Sequence, residues 1–393
     1  MELNVKSVAV LLLIAAVVAM LTRRLRLPYS AGLVAAGVFL ALLPFSPKVD
    51  LTREIVFTAL LPPLLFEAAF FLPWKHLRRD FPLIAVLATI GVLISAAITA
   101  LGMRYVAQWP WRSALVFGVL IAATDPVSVI ATFKEAKIGG RLLLLIESES
   151  LFNDGTAAVA FGVATATAIG MPLGPLQMVT MIVTTIGGGI LCGAAVACCA
   201  LWLAGRTDDH LVEITFTTVA AYGSFLLAEQ FHLSGVLATI AAGLVMGNFK
   251  SFGTISERGK EAVQAFWEYA AFTANSIVFL LIGMHEAHRN FGAVWLPAIV
   301  AIALVTVGRA AAIYPCCFPF SRSSLRVTMR HQHALFWGGL RGALALALAL
   351  GLPAEVPMRE EILTISFAVV AFSIFVQGLT MTPLLRRLRE IPN

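Results

Sequence analysis

Three features of this sequence predict an all-α polytopic membrane protein. Of its 393 residues 59% are hydrophobic, only 13% are charged, and apolar runs recur from one end to the other. A soluble domain carries about 25% charged residues. Runs near ~20 residues match the hydrocarbon thickness of a bilayer. In lipid a helix is the form in which a single segment satisfies its own backbone. No stretch between the runs is large enough for a soluble domain, so residues 1–393 read as one integral membrane domain.

Thirteen spans are predicted: 7–22, 29–44, 54–73, 82–103, 113–133, 143–169, 176–204, 210–230, 233–249, 262–284, 292–314, 333–351 and 360–384. The first resembles a signal-peptide core in length, but no small-residue cleavage site follows it, and Arg23, Arg24 and Arg26 close it. It reads as a retained helix. The third carries Pro62-Pro63 and then Glu67. The fifth is interrupted at Thr124-Asp125-Pro126, where proline removes an N–H and disfavours helical geometry one residue earlier. The sixth holds the run IESESLFNDG, and the seventh a Gly189/Gly193 pair suited to close packing. The twelfth is interrupted at Gly338-Gly339-Leu340-Arg341-Gly342.

Charge sets the orientation. Nineteen of the 28 Lys and Arg fall in alternate loops beginning after the first span. The opposite side holds only Lys6, Lys48, Arg53, Arg104, Arg112, Arg289 and Arg359. Basic residues mark the cytoplasmic face, which puts the C-terminus in the cytoplasm and the N-terminus outside. The net charge of +6 therefore reflects topology and implies no nucleic-acid partner. The five cysteines lie in or beside apolar runs without metal-ligand spacing. No resident cofactor is expected.

The interrupted fifth and twelfth spans are seven apart and so run in opposite directions, as an inverted repeat produces. Broken helices of this kind free carbonyls and half-helix ends for ions at mid-membrane. The carboxylates cluster there too. At 1.5 Å per residue Asp154 lies roughly 16 Å into its span, Asp125 about 18 Å and Arg341 about 12 Å, all near the centre of a ~30 Å core. Charged groups at that depth mark ion or proton paths. Glu147, Ser150 and Asp154 share one helical face, and Glu149 and Asn153 a neighbouring one. A hard cation such as Na⁺ takes oxygens: the Asp154 carboxylate, the Ser150 hydroxyl and a carbonyl loosened at Thr124 supply them. Burial disfavours the bare charge, so Asp154 holds either a cation or a proton. That competition is sufficient for exchange.

Other residues have plainer readings. Asn153 caps backbone freed at the fifth-span break. Asp125 stands between helix capping and ion contact, and Glu67 between direct ligand and funnel charge. Glu147 lines a cytoplasmic funnel. Buried Arg341 needs an anion, for which Glu149 is the natural partner. Glu213, Glu229, Glu261 and Glu268 lie near span ends and read as solvated.

The motifs LLPPLLFEA (60–68), ATDPVSV (123–129), ESESLFNDG (147–155) and FWGGLRGALALAL (336–348) resemble the monovalent cation:proton antiporter family, its NhaP and NHE branch. The resemblance extends over the whole chain. It implies an inverted-repeat antiporter fold in which the discontinuous helices 5 and 12 cross. It implies a core of roughly 82–169 with 292–384, and a dimerisation part of roughly 1–73 with 176–284. It also implies a homodimer in the plasma membrane that exchanges Na⁺, and Li⁺, for H⁺ and serves pH homeostasis. The ion-binding residues it implies are Asp154, Ser150, Thr124, Glu67 and, less directly, Asp125, with Glu149–Arg341 as a structural ion pair. Asn153 in place of a second aspartate resembles the electroneutral branch. Ser148 replaces the glycine usual between the two glutamates, and the short tail resembles prokaryotic forms.

K⁺/H⁺ exchange through the same site is the nearest alternative, since selectivity rests on cavity size and ligand field. An intramembrane protease using Asp125 and Asp154 would leave Arg341 and the paired breaks unexplained. A non-transporting scaffold predicts no flux. Neither transporter reading makes the chain an enzyme.

Overall fold

The long apolar runs fold as helices, and every regular element among the described residues is helical. A computed structural model of the chain describes residues 5–25, 27–43, 52–135, 139–171, 174–248, 257–287 and 291–391. Arg26, Lys48, Lys137, Lys250 and Arg289, which enter the charge count, lie outside the described residues.

The helices in order are α1 (Val5–Leu25), α2 (Tyr29–Ala41), α3 (Ile55–Phe71) and α4 (Trp74–Tyr105). There follow α5 (Trp111–Leu120), α6 (Val127–Glu135), α7 (Arg141–Ala168), α8 (Pro175–Ala204) and α9 (His210–Gln230). The remainder are α10 (Gly235–Asn248), α11 (Glu257–Glu286), α12 (Trp295–Cys317), α13 (Met329–Trp337), α14 (Ala343–Leu350) and α15 (Arg359–Arg387). Seven of them, α1, α4, α8, α9, α11, α12 and α15, are long and apolar enough to cross a membrane. Each predicted span coincides with a helix or, at the fifth and twelfth, with a helix pair separated by a break.

The largest boundary difference is α4. The sequence reading starts its span at Pro82, a residue suited to a first turn. The helix instead begins at Trp74, and Pro82 sits inside it. Leu77, Asp80, Leu83 and Ile84 are buried, so the added turns are amphipathic and packed. Glu213, read as solvated, is buried in α9.

Close approach of backbones sets the packing around α8. A Cβ at Gly189 would strike Ser234, and one at Gly193 would strike the backbone of Ala238 in α10. The GxxxG pair thus packs within the chain.

The two breaks meet. The N–H of Asp125 donates to the carbonyl of Leu340 at 2.7 Å. The α5–α6 break (121–126) and the α13–α14 break (338–342) are therefore held together by main chain.

Candidate ion-binding site

The freed backbone of the α5–α6 break has partners that can be counted. The carbonyls of Ala122 and Ala123 accept from Arg341 Nη1 at 3.0 and 3.2 Å. The N–H of Thr124 donates to Asn153 Oδ1 at 3.1 Å. The N–H of Asp125 is taken by Leu340, as above, and Asp125 Oδ1 accepts from the N–H of Val127 at 3.0 Å. Asp125 thereby caps the N-terminus of α6, where a helix end favours an oxygen and a negative charge. Gly342 is obligatory at the facing break, since any Cβ there would run into the Asp125 carboxylate. Buried polar backbone is almost always paired, and this break obeys that rule through two side chains, Arg341 and Asn153, and the main chain of Leu340.

Glu149 does not pair with Arg341, contrary to the expectation. Its carboxylate receives two hydrogen bonds from Arg309 of α12, Nη1 to Oε1 at 2.7 Å and Nη2 to Oε2 at 2.8 Å. Such a fork is the strongest geometry open to an arginine and a carboxylate. Arg309 Nη2 also donates to the carbonyl of Leu335 in α13 at 3.0 Å. Arg341 is occupied instead by the carbonyls of Ala122 and Ala123, just beyond the C-terminal, negative end of α5. The signal for Arg309 was present in the sequence, because it stands mid-run in α12 as conspicuously as Arg341 does in its own span.

Asn153 completes this face of α7. Its Nδ2 donates to Glu149 Oε1 at 3.0 Å and also to Thr124 Oγ1. Thr124 Oγ1 and Ser150 Oγ lie 3.0 Å apart in a further hydrogen bond. The set Arg309–Glu149–Asn153–Thr124–Ser150 is buried and continuous.

The start of α7 is anchored as well. Arg141 donates to Asp80 Oδ1 through Nε at 2.9 Å and Nη2 at 2.7 Å. It also reaches the carbonyls of Leu325 and Arg326 at 2.8 and 2.7 Å. Nothing in the sequence marks this contact, because Asp80 precedes the predicted span 82–103.

Asp154 is different. Its Oδ1 is buried and has no hydrogen-bond partner. It borders a cavity of about 410 Å³ that is also lined by Glu67 of α3, Thr124, Asp125 and Glu147. Gln264, Glu268 and Asn275 of α11 also line it, and the first two are exposed. Glu268, read as merely solvated, thus stands on the cavity wall. Ser150, Asn153, Glu149 and Arg341 lie behind the lining. Among the described residues no group of three or more His, Cys, Asp or Glu is arranged to hold a metal ion. A cation here would draw on hydroxyl and main-chain oxygens besides carboxylates, the donor set that hard ions accept.

Comparison with known proteins bears on this geometry. The sequence profile described as "Sodium/hydrogen exchanger, transmembrane" matches residues 10–387. The chain is similar to the Na(+)/H(+) antiporter ApNhaP of Aphanothece halophytica, 38% identical over 92% of this chain and 70% of that protein. It is similar also to the Na(+)/H(+) antiporter NhaG of Bacillus atrophaeus, 36% identical over 96% of this chain and 73% of the relative. Its fold matches the sodium proton antiporter MjNhaP1 from Methanocaldococcus jannaschii with a TM-score of 0.74, at 20% identity, over 97% of this chain and 95% of that one.

Proposed function

We propose that this chain, which belongs to the sodium/hydrogen exchanger family, exchanges Na⁺, and also Li⁺, for H⁺ by alternating access. The observation that carries the reading is Asp154 Oδ1, a buried and unpartnered carboxylate oxygen on a cavity wall. An isolated charge is too costly there to stay bare, so Asp154 takes up either a cation or a proton. Thr124 and Glu67 on the cavity wall, with Ser150 bonded to Thr124 behind it, supply the further oxygens for Na⁺, and Asp125 acts less directly through its hold on the break.

The stoichiometry is one cation for one proton. Asn153 carries no charge and Glu149 is neutralised by Arg309, so the α7 cluster offers one carboxylate for the exchange. Glu147 lies toward the cytoplasm in this reading and draws cations to the mouth. The protein spans the plasma membrane thirteen times, with its C-terminus inside and its interrupted helices crossing at mid-membrane. A core of roughly 82–169 and 292–384 moves against a dimerisation part of roughly 1–73 and 176–284, in a homodimer that serves pH homeostasis.

The test is dissipation of a pH gradient in proteoliposomes, with Na⁺, Li⁺ and K⁺ added in turn and the voltage clamped or free. Na⁺- and Li⁺-driven proton movement that ignores voltage is the expected result. Flux with K⁺ alone would reassign the ion, voltage-dependent flux would overturn the one-to-one stoichiometry, and no flux would sink the exchanger reading.

A further inference from the structure

Of the residues lining the cavity, two carry a buried oxygen without a hydrogen-bond partner: Asp154 and Asn275. Asn275 belongs to α11, which packs against α2 and α3 and shares the cavity lining with α7. Its neighbour Ser276 spends its polarity inside the protein, with a hydroxyl bonded to Tyr29 at 2.7 Å and to the carbonyl of Phe272. Asn275 Oδ1 has no such outlet. A buried amide oxygen left unpaired in a native fold calls for an explanation, and a ligand is one of the few available.

Position supplies the second strand of the argument. Gln264, Glu268 and Asn275 are separated by four and seven residues, one and two helical turns, so they share a face of α11. All three line the cavity. Gln264 and Glu268 are exposed and bonded to each other, Nε2 to Oε1 at 3.0 Å. Eleven residues of helix carry this stripe roughly 16 Å inward from Gln264 to Asn275. A polar stripe that begins at exposed residues on the cavity wall and ends on an orphan oxygen is laid out as a path for a cation losing its water.

We propose that Asn275 Oδ1 is a ligand to the transported cation, replacing a water of its shell on the way to Asp154; this rests on the exchanger reading above. The residue is specificity-determining for the cation and plays no part in holding the proton. Removing its oxygen therefore weakens cation binding without slowing the loaded carrier.

The experiment compares wild type, Asn275→Ala and Asn275→Asp as full-length protein in proteoliposomes, following Na⁺-dependent proton flux against Na⁺ concentration. Asn275→Ala is expected to raise the KM for Na⁺ about tenfold, the loss of one ion–oxygen contact, with the maximal rate within about twofold of wild type. Asn275→Asp, which keeps shape and oxygen, is expected to have a KM at or below that of wild type. An unchanged KM in Asn275→Ala, or a lost maximal rate at unchanged KM, would assign Asn275 a structural role and overturn the proposal. Should Asn275→Ala fail to elute as a folded protein, Asn275→Asp decides: a raised KM overturns the proposal. Absence of Na⁺-driven flux in wild type itself would defeat the exchanger reading instead.

Discussion

Two faces of one helix make the sharpest contrast in this protein. On one face of α7, Glu149 and Asn153 use their polar atoms on Arg309 and Thr124. One residue further on, Asp154 presents a carboxylate oxygen bonded to nothing. Both are acidic positions in the same run, but Glu149 is fully buried among partners and Asp154 is half-buried against the cavity. Saturated polar groups fix a structure, because breaking any bond strands a partner. An unsaturated one stores a cost that a mobile ligand can relieve. The lesson is that burial alone does not identify a working carboxylate; an unpaired oxygen that also faces the cavity does.

The contrast can be broken most severely at Asp154. Asp154→Asn is expected to reduce cation-driven proton flux by at least about 100-fold, since no group remains to trade cation for proton. Its thermal stability in detergent should stay within about 1 kcal/mol of wild type, because no existing bond is lost. Flux near the wild-type level would refute the assignment.

The saturated face predicts the reverse pattern. Arg309→Met leaves Glu149 buried and unpaired, which costs about 3–5 kcal/mol when a buried pair loses one member. Denaturation midpoints and the yield of monodisperse protein should fall accordingly. The double change Arg309→Met with Glu149→Leu should recover much of the loss. A single variant as stable as wild type would show that the pair holds nothing together.

Arg141 tests the anchor at the other end of α7. Arg141→Ala removes bonds to Asp80 and to two carbonyls, but the side chain is partly exposed, and water can replace some of them. A loss of about 1–2 kcal/mol is expected, with a modest fall in rate. The smallest effect belongs to Ser148, whose buried Oγ has no partner and does not line the cavity. Ser148→Ala should be neutral or stabilising by up to about 1 kcal/mol, with transport unchanged.

How much of this was legible in the sequence follows the same division. Hydropathy and the breaks at Asp125–Pro126 and Gly338–Gly342 located each α-helix among the described residues, because those signals are local. The polar run of α7 was equally plain. Partner choice was not: Glu149 meets Arg309, 160 positions away, and which of two buried arginines reaches it depends on packing that no local pattern encodes. Arg341 turned out to serve the carbonyls of Ala122 and Ala123. The α11 stripe escaped notice for a related reason. Gln264, Glu268 and Asn275 look like ordinary polar positions until the fold sets them against a cavity.

The most direct test of competition at Asp154 is proton release on cation binding. Purified protein in detergent, weakly buffered and without a membrane gradient, would be titrated with Na⁺ while the medium pH is recorded. About one proton should leave per bound cation, as when a metal displaces a proton from its ligand, and Asp154→Asn should release none. Na⁺ binding without proton release, or release that survives the Asp154→Asn change, would contradict the account.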